Sequence, residues 1–76
     1  KITIQPLSFV FSKSSIKKNF FPKKEYPWPE VENAILKDGI LTINFKNNKL
    51  IQAPAEDLTK EEIIAFNEFV NEMLSP

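Results

Sequence analysis

The sequence predicts an α+β domain, a small antiparallel sheet of about five to six strands followed by one C-terminal amphipathic helix. Three observations carry that expectation. Apolar residues alternate with period two near the start, Asp38-Gly39 sits between two apolar runs, and Thr59 to Glu62 reads as a helix start ahead of an apolar stripe. All of this lies within 76 residues, which suits a single domain over 1–76 and leaves no room for a second.

The first stretch, Lys1 to Ser12, sets Ile2 and Ile4 on one side and, after Pro6, places Leu7, Phe9 and Phe11 together. Pro6 shifts the phase and lacks an amide donor, so the reading is an edge strand with a bulge, or two short strands joined at a bend. Residues 12–18 show no period and read as a polar loop. Residues 19–26 carry enough aromatic side chains for a further strand, and the alternating prolines of Tyr26-Pro27-Trp28-Pro29 predict an extended chain. The segment 1–26 therefore supplies N-terminal strands and a basic loop.

Residues 31–53 predict a three-stranded meander. A two-residue Asp38-Gly39 turn pairs Lys37 with Ile40, Leu36 with Leu41, Ile35 with Thr42 and Ala34 with Ile43. A second tight turn at Asn47-Asn48 would pair Lys46 with Lys49, Phe45 with Leu50 and Asn44 with Ile51, because Asn tolerates positive φ. This register puts Ala34, Leu36, Leu41, Ile43, Phe45 and Leu50 on a core face. Ile35, Ile40, Thr42, Asn44 and Ile51 fall on the other, which is too apolar for a water-facing surface, so the N-terminal strands or another chain should cover part of it.

Residues 54–58 form a linker, and 59–74 the helix. Thr59 and Glu62 fit a capping box, Leu58 and Ile63 a hydrophobic staple, and Ile63, Phe66, Phe69 or Val70, Met73 and Leu74 recur at helical spacing.

Tyr26-Pro27-Trp28-Pro29-Glu30-Val31, then Ile35-Leu36-Lys37-Asp38-Gly39-Ile40-Leu41-Thr42-Ile43, then the terminal helix together resemble, over residues 26–74, the pleckstrin-homology-like (PH-like) superfold of small bacterial proteins. The resemblance implies a PH-like sheet and a non-enzymatic module belonging to a larger bacterial protein. It also implies a cytoplasmic location, with a membrane tether where a spanning segment precedes Lys1. A start at Lys1, not Met, is expected of a segment cut from a longer protein. The chain is shorter than a usual domain of this kind, which predicts missing strands and pairing between chains. In eukaryotic members of the superfold a basic loop between the first strands binds phosphoinositide headgroups.

Composition narrows the chemistry. The ten basic residues are all Lys, ten residues are acidic, and His and Cys are absent. Imidazole bases, thiolate nucleophiles and the common zinc sites are thereby excluded, and the expectation is neither an enzyme nor a cofactor- or metal-binding protein. The zero net charge hides a dipole, since residues 1–24 hold six lysines and no acid, while residues 56–76 hold six acids and one lysine. Lys without Arg argues against nucleic-acid recognition, which favours the guanidinium fork.

Lys13, Lys17, Lys18, Lys23 and Lys24 surround Phe20 and Phe21, a mixture able to lie on an anionic membrane; the plainer reading is a solvated loop with both rings in the core. Trp28 reads as a core anchor whose indole N–H bonds a carbonyl, or as a rigid contact surface. With Ile35, Ile40, Thr42 and Ile51 it completes the interface candidates. Asp38 cannot share a calcium ion with Asn47 and Asn48, which lie at the other end of the shared strand, about 20 Å or more away. Glu61, Glu68 and Glu72 read as a solvated helix face, and Glu30 with Glu32 lacks the pocket that an acid–base pair needs. The expected function is protein interaction or self-assembly, with a protein partner or a homodimer. The alternative is binding of anionic lipid or another polyanion through the lysine loop.

Overall fold

The structure, a computed structural model, describes residues 1–75. It is α+β and antiparallel, with a C-terminal helix, but it holds seven strands in two sheets where about five to six in one sheet were expected. The first sheet is built from β1 (Ile2–Ile4), β2 (Phe9–Phe11), β3 (Ser15–Lys18) and β4 (Lys24–Pro27), each paired to the next. The second contains β5 (Val31–Lys37), β6 (Ile40–Phe45) and β7 (Leu50–Pro54) in the same sequential order.

Around Pro6 the chain takes the two-strand option. Ile2 lies opposite Phe11 and Ile4 opposite Phe9, so the break at Pro6 turns the chain back on itself. The polar loop expected over 12–18 is corrected, because only its first part is a turn: Ile16 to Lys18 pair on both sides, and Ser15 pairs with Pro27. Periodicity misses this strand because Ile16 is its single apolar side chain. Ile16 is fully buried, with Phe11 and Tyr26 as its cross-strand neighbours, and the buried Ser15 hydroxyl donates to the Glu25 carboxylate at 2.6 Å.

The extended chain expected at Tyr26–Pro29 holds for Tyr26 and Pro27, which end β4, and is corrected beyond them: Trp28 to Glu30 form a 3-10 turn. Pro29 fits such a turn with its fixed φ, and the turn rolls the Trp28 ring inward over Phe11 and Phe69, each 6.2 Å away between centroids. Val31 and Ala34 both face the core although three residues apart, because a bulge at Val31–Asn33 inserts one residue into β5.

Asp38 and Gly39 both adopt positive φ, 54° and 75°, and the β5–β6 hairpin has the register expected of an Asp-Gly turn. The next hairpin does not. Its loop spans Lys46 to Asn48 and is closed by the Phe45 amide donating to the Lys49 carbonyl at 2.9 Å, with Asn48 at φ 69°. Asn44 therefore faces Leu50, and Ile43 faces Ile51. One residue of slip exchanges the two side chains: Leu50, expected in the core, is exposed, and Ile51, expected on the outer face, packs partly buried against the core.

The helix α1 (Lys60–Leu74) starts with both halves of the capping box formed, Glu62 N–H to Thr59 Oγ1 at 3.1 Å and Thr59 N–H to Glu62 Oε1 at 2.9 Å. It packs on β5 and on the Trp28 turn. Phe66 is its deepest residue and meets Phe11 edge-on at 4.8 Å. The core thus lies between the inner faces of the two sheets and α1, and the sheets also join at a corner where Pro6 bridges Ala55 and the Glu56 amide donates to Gln5.

Candidate interaction surfaces

Two surfaces remain once the core is assigned. The first is the outer face of β5–β6–β7, whose cross-strand rows are Asn33–Asn44–Leu50, Ile35–Thr42–Gln52 and Lys37–Ile40–Pro54. The first sheet and α1 both pack on the opposite, inner face, so among the described residues no element covers the outer one; of the two expected covers, the N-terminal strands do not supply it. Ile35, Ile40 and Leu50 are 46%, 44% and 54% exposed there. Their polar neighbours are already tied within the sheet. Asn44 donates to Asn33 at 2.7 Å, and the Gln52 amide donates to Thr42 at 3.3 Å. Lys37 is the one charge in those three rows.

Of the interface candidates, Ile35, Ile40 and Thr42 share this face, whereas Ile51 and Trp28 do not belong to it. Ile51 points inward for the register reason above. Trp28 is buried and donates its indole N–H to the Ser12 carbonyl at 2.7 Å, as a core anchor does, and the little of it that remains accessible borders a depression beside Met73 and Leu74, apart from this face. Leu50 joins the face instead. The signal for Leu50 lay in the loop length after Phe45, which the Asn-Asn pair left ambiguous.

The second surface is the connection between β3 and β4. Lys17 and Lys18 end β3, Lys23 and Lys24 begin the return, and Lys18 lies opposite Lys24. These four lysines flank one shallow surface depression with Asn19 and Glu25. Lys13 stands apart from them, in the β2–β3 turn at the other end of β3. The two rings also separate. Phe20 is half-buried, edge-on to Phe9 at 5.3 Å with the Lys18 ammonium 4.9 Å from its centroid, while Phe21 is 93% exposed. The β1–β2 connection, where the superfold resemblance would put a basic loop, is Gln5-Pro6-Leu7-Ser8 and carries no lysine.

Among the described residues no group of three or more Asp and Glu side chains is placed to hold a metal ion, and no helix is long and apolar enough to cross a membrane. Neither protein-family models nor curated proteins nor solved structures show a match to this chain.

Proposed function

We propose that this chain is a non-enzymatic interaction module of PH-like build that self-associates through the outer face of β5–β6–β7. The observation that carries the reading is the exposure of Ile35, Ile40 and Leu50 on a sheet face with a single charge. Depletion of charge with retention of apolar area is the composition of an interface centre. A near-neutral face meets its own copy without repulsion, and its amides and hydroxyls, hydrogen-bonded within the sheet, lose little when covered. A twofold arrangement stacks the two sheets face to face at about 10 Å, with Ile35 and Ile40 interdigitating. The order of antiparallel strands followed by a C-terminal helix supports the PH-like reading.

The size of the face sets the strength. Three strands at about 4.8 Å spacing and about six residues at 3.4 Å make a patch about 14 Å by 20 Å. That is well below the ~800 Å² per partner of a standard stable complex. Association is therefore weak and concentration-dependent.

Light scattering and sedimentation equilibrium over a range of concentrations test it. The wild-type mass should rise toward the dimer, and Ile40→Lys should stay monomeric with an unchanged thermal midpoint. A wild type that remains monomeric throughout discards the reading; an Ile40→Lys that unfolds shows that the face supports the fold.

A further inference from the structure

We infer that the β3–β4 connection is a membrane-docking tip, with Phe21 entering the headgroup region of an anionic bilayer and Lys17, Lys18, Lys23 and Lys24 seated on the lipid charges. This surface adjoins the self-association face, since Lys24 and Leu50 line one cavity, but the inference does not depend on that face.

Phe21 is the most exposed of the large apolar side chains among the described residues, at 93% against 54% for Leu50. Its neighbours hold it in place. Phe20 is pinned to Phe9, and the Asn19 amide donates to the Ser8 carbonyl at 3.0 Å, so the chain leading into Phe21 is tied to the neighbouring strand. A ring presented this way costs little to order on binding, and an aromatic ring is suited to the interfacial zone of a bilayer.

The charges have the matching layout. Between residues 17 and 24 lie four lysines and no acid. The nearest carboxylate in the chain, that of Glu25, lies across from Lys17 beside the same depression and accepts from the Ser15 hydroxyl, so one acid accompanies the four lysines. The acids of the helix's C-terminal half lie toward the other end of the first sheet, whereas Glu56 stands at the tip's own end, its amide donating to Gln5 in the same β1–β2 connection whose Ser8 carbonyl accepts from Asn19. β3 runs from Ser15, next to the turn whose Ser12 carbonyl holds Trp28, to Lys18 at the tip; the helix that carries Glu68 and Glu72 packs on Trp28 through Phe69. The net positive charge of residues 17–24 attracts the tip to a negative surface. Each lysine close to such a surface is worth about five-fold in partitioning.

A bilayer fits better than a nucleic acid. A single-stranded chain needs a groove that tracks its backbone with successive stacking rings. Here one ring projects from a convex tip, and a projecting point suits a plane.

Co-sedimentation with vesicles tests the inference, using phosphatidylcholine alone and phosphatidylcholine with about one third phosphatidylserine. Wild type should bind only the serine-containing vesicles and should release as salt rises from about 0.05 M to about 0.5 M. Phe21→Ala should weaken binding about ten-fold or more with an unchanged melting curve, since the ring makes no core contact. Lys17→Glu combined with Lys18→Glu should abolish it. Phe21→Trp on vesicles of brominated lipid should lose tryptophan emission that the buried Trp28 of wild type keeps. The inference is overturned if wild type ignores both vesicles, or if Phe21→Ala binds as well as wild type. Binding of a single-stranded oligonucleotide without vesicle binding overturns it equally, by reassigning the lysines.

Discussion

Trp28 joins three parts of the molecule through one side chain. Its ring lies between Phe11 of the first sheet and Phe69 of the helix, and its indole N–H reaches back to Ser12. Replacing it by Phe keeps most of the apolar volume and removes the donor, leaving the Ser12 carbonyl without this partner. Trp28→Phe should therefore cost about 1–2 kcal/mol, which lowers the melting temperature by about 4–8 °C per kcal/mol in a domain of this size. A midpoint equal to wild type would show that water replaces the indole. That Trp28 anchors the core through a carbonyl was legible from a large amphipathic ring held between prolines. Which carbonyl was not, because the contact joins strands whose pairing runs through Ile16, a single apolar residue among serines and lysines. Phe20 and Phe21 teach the same limit. Adjacent and chemically identical, they differ only in which one the turn directs toward Phe9.

At the scale of elements, legibility followed how tightly the local chemistry restricts the backbone. Asp38-Gly39 admits one turn well and set its register; Thr59 with Glu62 set the helix start. Asn47-Asn48 admits two loop lengths, and the longer one occurs because Asn48 takes the left-handed conformation after Lys46 and Asn47 complete the reversal. The difference is measurable. Leu50→Thr should leave the unfolding free energy from urea titration within about 0.5 kcal/mol of wild type, whereas Ile51→Thr should cost about 1–2 kcal/mol because that side chain lies opposite Ile43 and packs on the core. The opposite ranking would return the hairpin to the two-residue register and move Ile51 back to the outer face. Leu50→Thr should also weaken self-association, since it removes apolar area from the exposed rows.

At the scale of the whole molecule, neither sheet is a plausible folding unit alone. Strands of three and four residues give the first sheet few ladder hydrogen bonds, so it depends on Phe9, Phe11 and Ile16 finding the second sheet and Phe66. The second sheet has longer strands, yet its inner face is covered only when the first sheet and α1 are in place. A 76-residue chain has little stability to divide between parts, on the order of 0.1 kcal/mol per residue. The two sheets and the helix should therefore unfold together. Helix content by far-UV circular dichroism and the environment of Trp28 by fluorescence should give superimposable urea transitions. Thr59→Ala, which removes the side-chain half of the capping box at a cost of about 1 kcal/mol, should shift both curves equally although Trp28 lies outside the helix. A fluorescence transition that lags behind loss of helix would show instead that the two sheets hold Trp28 without α1, and the shared core would then be two cores in contact.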